Sequence, residues 1–371
     1  MSKKVYFVTG GGTGGHIYPA VAVADALMAA DADANIFYVG NPNNMEKNIV
    51  SSKTYTFLPV YSSGMPRKFS FEFIKWSYLM FAGWLKCCYY ILKYKPDAVF
   101  GTGGYVSAPV LFAAITMKVP FVMHDCDANP GLVTRKLAPY AKSVSVAFDV
   151  AKSKIKNKNC FVNGNPIRKE FSLISKQKAC EELSLSDKKC TLCIMGGSQG
   201  AKSINNSVIP ILKDLSEKLE LQIIFQTGRK NYDEVTASLK KVYPEYENNN
   251  DIIVRPYFDN MVSVLKASDI AISRAGSLSI SELCASGVAT IFIPYPYAAA
   301  DHQRKNARYM FEKGAGLYLE DSDADDVSLM SNISSLVNDK AELVNMQSTA
   351  KSLAVFDGAE RIVKQIQDAI S

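Results

Sequence analysis

The stretch 268–282, SDIAISRAGSLSISE, decides how the rest of the chain is read. Asp269 to Ser273 is a short apolar run of strand character, Gly276 interrupts it, and SLSISELCA continues with the spacing of a helix. A helix that starts at a sheet edge presents unpaired backbone N–H groups in its first turn. With Ser277 and Ser279 as small polar neighbours, that turn can hold an anion such as a diphosphate. Glu282 falls about one and a half turns further in, too deep to cap the helix, and a carboxylate there can accept hydrogen bonds from two adjacent hydroxyls. Diphosphate plus vicinal diol describes a nucleotide-sugar. The plain alternative is a serine-capped surface helix with an exposed glutamate.

The same strand–loop–helix unit recurs along the chain. Lys3 to Thr9 reads as a buried strand, Gly10 to Gly15 as a glycine loop and Ile17 to Ala30 as a helix with Pro19 in its first turn. Pro96 to Phe100 leads into Gly101-Thr-Gly-Gly-Tyr105 and a helix from Val106, and Cys190 to Met195 leads into Gly196-Gly-Ser-Gln-Gly200 and a helix over 201–219. Further strands are expected at 36–40, 120–123, 143–147, 159–162, 221–226, 252–255, 269–273 and 289–294. Strand–helix alternation in both halves predicts an α/β protein of two parallel, doubly wound sheets, with ligands beyond the carboxyl ends of the strands and a cleft between the domains. We place the domains at 1–163 and 164–345, with Gly164-Asn-Pro-Ile-Arg168 as the linker and a C-terminal helix at about 346–371 packing back on the first.

Composition narrows the function. A chain of 371 residues with 48% apolar and 21% charged residues supports two sizeable cores. No uncharged apolar run reaches the roughly 18 residues needed to span a bilayer, and the eight scattered cysteines show no paired zinc spacing, so a cytoplasmic protein with reduced thiols is expected. The net charge of +6 is moderate, and no nucleic-acid partner is expected. The loop at 10–15 contains G-x-G-x-x-G, but the next strand, Ile36 to Gly40, runs into Asn-Pro-Asn-Asn rather than an acid for the ribose, which argues against NAD. P-loop, nucleophile-elbow and H-E-x-x-H motifs are absent from the sequence.

Residues 65–94 stand apart, holding both tryptophans among Phe, Tyr, Leu and Ile, with the bases Arg67, Lys68, Lys75, Lys86 and Lys93 against the single acid Glu72. At helical spacing Lys75, Lys86 and Lys93 share a line, Ile74, Tyr78, Phe81, Leu85 and Cys88 form one apolar stripe, and Met80, Trp84 and Ile91 form another. One stripe can face the core and the other an anionic membrane, for which Lys75, Phe81, Trp84, Lys86 and Lys93 are the candidate contacts; a core helix with snorkelling lysines is the alternative.

GGTGGH (11–16 with the preceding Gly10), GTGGYVSAP (101–109), GNPIR (164–168), GGSQGA (196–201), SRAGSLSISE and DHQ..NA (301–307) together resemble the MurG family of glycosyltransferases, in the family's order and over nearly the whole chain. The resemblance implies the GT-B fold. It also implies inverting transfer of GlcNAc from UDP-GlcNAc to the MurNAc 4-hydroxyl of undecaprenyl-pyrophosphoryl-MurNAc-pentapeptide (lipid I), giving lipid II, without a metal or other cofactor. The implied partners are those two substrates, the cytoplasmic face of the membrane and a cell-wall synthesis complex. By position, the resemblance gives Thr13, Gly14, Gly15, Asp127, Arg168, Ser198, Gln199, Phe258 (a backbone contact to uracil), Ser277, Glu282, His302 and Gln303 to the donor, and Gly12, Thr13, Gly14, Gly103, Gly104 and Tyr105 to the acceptor diphosphate.

One departure concerns the chemistry. The family usually has His-Glu-Gln-Asn where this chain has His124-Asp-Cys-Asp127, so a carboxylate replaces the family's amide at 127. Asp125-Cys-Asp127 also spells D-x-D, a metal-binding pattern in another glycosyltransferase fold, but the helix N-termini already serve the diphosphate. An inverting transfer needs one general base; His16, following the first glycine loop, is the first candidate and Asp127 the second. All three histidines, His16, His124 and His302, fall beside these loops. A glycosyltransferase acting on diacylglycerol, a UDP-GlcNAc epimerase and a non-enzymatic binding protein are the rival readings.

Overall fold

The computed structural model describes residues 3–66, 68, 70–197 and 199–371, which leaves Ser198 and Arg67 outside the described residues. The chain divides into two compact units, residues 1–167 with 357–371, and residues 168–356.

The first unit is a seven-stranded parallel sheet in the order β3-β2-β1-β4-β5-β6-β7, with β1 (Val5–Thr9), β2 (Asn35–Gly40), β3 (Thr56–Pro59), β4 (Ala98–Gly101), β5 (Phe121–Asp125), β6 (Ser143–Val146) and β7 (Cys160–Val162). Its central strands are short, mainly apolar runs buried on both faces, as helices covering both sides of a parallel sheet require. Helix α1 (Gly14–Ala30) covers one face. There Ile17, Ala20, Val21 and Ala24 pack with Ile362, Val363 and Ile366 of the C-terminal helix Gly358–Ile370. Helix α2 (Met45–Ser51) adds Val50 to that side. Helices α3 (Phe71–Tyr94), α4 (Gly104–Thr116) and α5 (Leu132–Leu137) supply Cys87, Ile91, Leu111 and Leu137 to the core on the other face.

The second unit is a six-stranded parallel sheet in the order β10-β9-β8-β11-β12-β13, with β8 (Thr191–Met195), β9 (Gln222–Gln226), β10 (Ile252–Arg255), β11 (Ile270–Ser273), β12 (Ala289–Phe292) and β13 (Leu317–Tyr318). Its core is mainly aliphatic, from Leu192, Ile194, Ile223, Ile270, Ile272 and Ile291 with Phe225 in the strands to Ile204, Leu212, Leu239 and Ile333 in the helices.

Four local expectations change. α1 begins at Gly14, because the Thr13 carbonyl accepts both His16 N–H and Ile17 N–H, so Pro19 sits in the second turn and removes the bond its N–H would have made to Gly15. The helix read over 201–219 is three pieces, Lys202–Val208, a 3₁₀ turn Ile209–Ile211 and Leu212–Glu217, because Pro210 cannot donate into a continuous helix. The segment read as one helix at 346–371 is two, Lys340–Ser352 in the second unit and Gly358–Ile370 in the first. Strands β3 and β13 were not expected from the sequence.

In α3 the stripe of Ile74, Tyr78, Phe81 and Leu85 is exposed, and Phe71, which the periodicity did not single out, is the helix's most exposed apolar residue at 81%. Trp84 is a correction. It lies on the inward stripe with Met80 and Ile91, packs against the core, and its indole N–H donates to Thr116 Oγ1 of α4 at 3.1 Å. Lys75 and Lys93 are exposed, while Lys86 is half-buried with its ammonium 6.0 Å from the Tyr61 ring and 5.7 Å from the Tyr90 ring.

Candidate functional site

In each sheet the strand order reverses at one place, between β1 and β4 in the first and between β8 and β11 in the second. Chains leaving adjacent strands there diverge to opposite faces and open a crevice beyond the strand ends, which is where open α/β sheets bind ligands. The loops at 10–15 and 101–104 flank the first reversal, and those at 196–200 and 274–276 flank the second. The helices that follow, α1, α4, Lys202–Val208 and Ser277–Ser286, have no side-chain cap, so the N–H groups of their first turns are left for other acceptors. Elsewhere in the second unit Ser175, Asn260, Asp325 and Asp339 close helix starts with their side chains.

In the first unit, Thr102 fixes His16. The imidazole Nδ1 lies 2.9 Å from the Thr102 carbonyl oxygen, and the Thr102 hydroxyl donates to the His16 carbonyl at 2.7 Å. A carbonyl only accepts, so Nδ1 carries the proton of the neutral ring and Nε2 keeps its lone pair. This tautomer follows from the hydrogen-bond network. Gly12 adopts φ +86°, a left-handed conformation, and a Cβ on it would lie 2.9 Å from the Tyr105 ring, so the first two glycine loops meet where only glycine fits. The Gly12 N–H donates to Glu46 Oε2 at 3.3 Å, so the Gly12 N–H expected at the acceptor diphosphate is committed within the fold. Thr13, Gly14 and Gly15 remain at the open start of α1, and Gly103, Gly104 and Tyr105 at that of α4.

His124 is a structural residue. It is fully buried, with Nε2 2.9 Å from Asn165 Oδ1 and Nδ1 2.9 Å from the Ser145 hydroxyl, which also accepts from Asn163 at 3.1 Å. Burial pushes its pKa down to about 4, so the ring is neutral near pH 7. Asp125 is also buried, and its two carboxylate oxygens accept from Asp127 N–H at 3.2 Å and Gly131 N–H at 3.0 Å. Its pKa is raised by burial first and by the nearby charge of Asp127 second. The two D-x-D carboxylates are therefore not equivalent, since Asp125 pins the turn and half-buried Asp127 is carried on it.

In the second unit, Gln226 is buried and bridges two loops, donating to the Gly197 carbonyl at 3.2 Å and accepting Phe258 N–H at 3.0 Å. A backbone contact from Phe258 to a base therefore falls to its carbonyl. Glu282 is paired with Arg168 at 3.1 Å, and its side chain is 14% exposed. Burial raises the Glu282 pKa and Arg168 opposes that rise. The two residues assigned separately to the nucleoside thus form one ion pair. Ser277 is buried at the helix start, and Gln199 is exposed.

The His302 ring bonds the Ala299 carbonyl through Nδ1 at 2.7 Å, and Gln303 Oε1 accepts Tyr295 N–H at 3.0 Å. His302 thus presents Nε2, and Gln303 its NH₂ group. Ala300 and Asp301, just before them, both have positive φ, at +51° and +56°, a conformation that costs energy in non-glycine residues and collects at functional turns. Sequence reasoning missed Gln226, Glu46, Thr102 and Arg274. The Arg274 guanidinium donates to the carbonyls of Ile293 and Pro294, both at 3.1 Å, to Asp321 at 2.6 Å and to Ser203 at 2.8 Å, joining the ends of β11 and β12 to two other segments. Its place between the strand and Gly276 was the available signal.

The N-terminal domain of glycosyltransferase family 28 matches residues 6–146, and the family's C-terminal domain matches residues 191–362. Proteins named UDP-N-acetylglucosamine--N-acetylmuramyl-(pentapeptide) pyrophosphoryl-undecaprenol N-acetylglucosamine transferase are similar along their whole length. The one from Desulforamulus reducens is 36% identical over 97% of both chains. That from Caldanaerobacter subterraneus is 38% identical over 98% of this chain and 99% of its own. The chain belongs to the MurG branch of glycosyltransferase family 28. MurG from Acinetobacter baumannii superposes with a TM-score of 0.78 at 26% identity, covering 99% of each chain, and the two parallel-sheet units are those of the GT-B fold. A UDP-GlcNAc 2-epimerase from Neisseria meningitidis bound to UDP-GlcNAc also superposes, with a TM-score of 0.69 over 98% of this chain and all of that one, but at 13% identity the likeness is one of fold.

Proposed function

We propose that the chain transfers GlcNAc from UDP-GlcNAc to the MurNAc 4-hydroxyl of undecaprenyl-pyrophosphoryl-MurNAc-pentapeptide, with inversion, yielding lipid II and UDP. The observation that carries this reading is the end-to-end likeness, at 36–38% identity, to transferases of that name. The second unit takes the donor. Glu282, oriented by Arg168, accepts from the ribose hydroxyls; the Phe258 carbonyl meets the uracil; and the diphosphate sits at the open start of the Ser277–Ser286 helix with the 196–200 loop, Ser198 and Gln199 included. His302 and Gln303 address the sugar through Nε2 and the side-chain amide.

The first unit takes the acceptor and the proton. Thr13 and Gly14 at the start of α1 and Gly103, Gly104 and Tyr105 at that of α4 face the lipid diphosphate. The 4-hydroxyl attacks the anomeric carbon as the bond to UDP breaks, and its proton passes to His16 Nε2, while Nδ1–H keeps its bond to the Thr102 carbonyl and steadies the imidazolium. Asp127 replaces an amide of the family and is the second candidate base, on the turn that Asp125 holds. The exposed stripe of α3, Phe71, Ile74, Tyr78, Phe81 and Leu85 with Lys75 and Lys93, rests on the cytoplasmic face of the membrane, where the lipid acceptor resides.

The test is product formation by the full chain from UDP-GlcNAc with either a short-chain lipid I analogue or diacylglycerol. Transfer to the lipid I analogue alone is expected. Transfer to diacylglycerol, or release of a free epimerised sugar without acceptor, overturns the reading.

A further inference from the structure

Glu46 plays no part in the chemistry derived above. It lies in the first turn of α2, is fully buried, and among the described residues is paired with no Lys, Arg or His. A buried carboxylate without a cation is costly unless hydrogen bonds replace its water. Three donors do so here. Oε1 accepts from Asn41 N–H at 3.1 Å and the Asn44 amide at 3.3 Å, and Oε2 accepts from Gly12 N–H at 3.3 Å. The same Asn44 amide donates to the Tyr105 hydroxyl at 3.1 Å. A continuous path therefore runs from Gly12 in the first glycine loop through Glu46 and Asn44 to Tyr105 in the second. The space is built around the carboxylate: a Cβ on Gly11 would fall 2.5 Å from Glu46 Oε1, and one on Gly40 would fall 3.0 Å from its Cγ. Nearby, Tyr38 donates to the Gly10 carbonyl at 2.6 Å, so the loop is held by its carbonyl at one end and by its N–H at Gly12.

We propose that Glu46 is a positioning residue for the acceptor: by taking the Gly12 N–H and orienting Asn44, it keeps the two glycine loops at the spacing that the acceptor diphosphate spans. This rests on the reading that those loops hold the acceptor. Because Glu46 takes the Gly12 N–H, the groups turned toward the ligand are the N–H groups at the starts of α1 and α4 and the Tyr105 hydroxyl. All three partners of Glu46 are donors, so the acceptor-only carboxylate fits and an amide does not. In Glu46→Gln one donor must face the new NH₂, with almost no change in size.

The test is steady-state kinetics of the full chain with UDP-GlcNAc and a short-chain lipid I analogue. Glu46→Gln is expected to raise the KM for the lipid analogue about tenfold, leaving the KM for UDP-GlcNAc and kcat within about twofold, as the loss of one charge-assisted bond at the acceptor loops requires. Asn44→Ala, which removes the amide's bonds to Glu46 and to Tyr105 but leaves the Gly12 N–H on the carboxylate, is expected to raise the same KM about threefold. It carries the test if Glu46→Gln fails to fold by thermal melting. A Gly12→Ala control separates the two claims. If Gly12→Ala raises the lipid KM and Glu46→Gln, or in its place Asn44→Ala, does not, the positioning role is wrong. If Gly12→Ala also leaves that KM unchanged, the assignment of the loops to the acceptor is wrong. A parallel rise in both KM values with a fall in kcat marks general damage and likewise overturns the proposal.

Discussion

The first and third glycine loops stand on the same scaffold, a parallel strand at a sheet reversal leading into an uncapped helix, yet they are pinned from the neighbouring strand's side with opposite polarity. Loop 10–15 gives its Gly12 N–H to a buried carboxylate, Glu46, whereas loop 196–200 gives its Gly197 carbonyl to a buried amide, Gln226. A pin that consumes a carbonyl adds no negative charge and uses no N–H, which suits a loop that must hold a nucleoside diphosphate. A carboxylate pin consumes an N–H and places a charge behind the loop, which disfavours a further anion close to Gly12 and leaves the diphosphate to the helix starts on either side. The shared fold supplies the crevice, and on the proposed assignment the polarity of one buried side chain matches each loop to its ligand.

The largest expected effect concerns the chemistry assigned to the first unit. His16→Ala should lower kcat by about 10²–10⁴-fold at saturating substrates, while Asp127→Asn, which restores the family's amide, should change it only mildly. Near-normal kcat in His16→Ala together with collapse in Asp127→Asn would move the base to Asp127.

The proposed membrane surface, the exposed stripe of α3, lies in the first unit. Replacing Lys75, Lys86 and Lys93 by Gln should weaken binding to anionic vesicles by up to about 1 kcal/mol per charge, with half-buried Lys86 contributing least. Phe71→Ser should weaken co-sedimentation further without loss of thermal stability, whereas Trp84→Ala should lower the melting temperature, because its ring packs inward. Unaltered co-sedimentation in all the exposed-face variants would leave α3 as a core helix only.

A third experiment gives the second unit the first unit's polarity. Gln226→Glu keeps an oxygen for Phe258 N–H but turns a second oxygen against the Gly197 carbonyl, and should raise the KM for UDP-GlcNAc about tenfold at alkaline pH. The defect should ease as the pH falls, because a protonated carboxyl can donate to that carbonyl again. A KM equal to that of the parent at every pH would show that the pin has no part in donor binding.

The smallest effect is a pH dependence. Burial raises the Glu282 pKa against the opposing influence of Arg168, so protonation begins at a higher pH than for an ordinary carboxylate. Below that pKa the carboxyl is neutral, loses the charge that pairs with Arg168 and accepts more weakly from the ribose, so the KM for UDP-GlcNAc should rise as the pH falls through it. In Glu282→Gln that inflection should vanish, and its persistence would assign it to another group.

Much of this was legible in the sequence because the physics is local. Runs such as Val5–Thr9 and Thr191–Met195 are apolar but for one threonine each, and each meets a glycine loop at its end, so strand, loop and helix start are visible together. What stayed hidden depends on distant residues. Glu46 sits in the polar run NPNNMEKN and reads as a solvent-facing helix start; its burial is created by Gly11, some 35 positions away, whose missing side chain leaves room for the carboxylate. The two stripes of α3 are equally apolar, so periodicity shows a two-faced helix without saying which face turns inward. Gly83 held that information: a Cβ there would come within 3.2 Å of Val60 and 3.3 Å of Pro109, so the helix packs closely on that side and carries neighbouring Trp84 inward. His124 looked like His16 in its setting after a strand, and only the Ser145 and Asn165 partners from later in the chain make it structural. Strand β13 has two residues, too few for any pattern.

The division of labour between the units is tested most directly by equilibrium titration of UDP into the parent chain, Glu282→Ala and His16→Ala. Glu282→Ala should bind UDP about ten- to a hundredfold more weakly, since charge-assisted bonds of roughly 1.5–3 kcal/mol are lost, and His16→Ala should bind it as the parent does. Unchanged UDP affinity in Glu282→Ala, or a comparable loss in His16→Ala, would contradict the assignment of the donor to the second unit and the acceptor chemistry to the first.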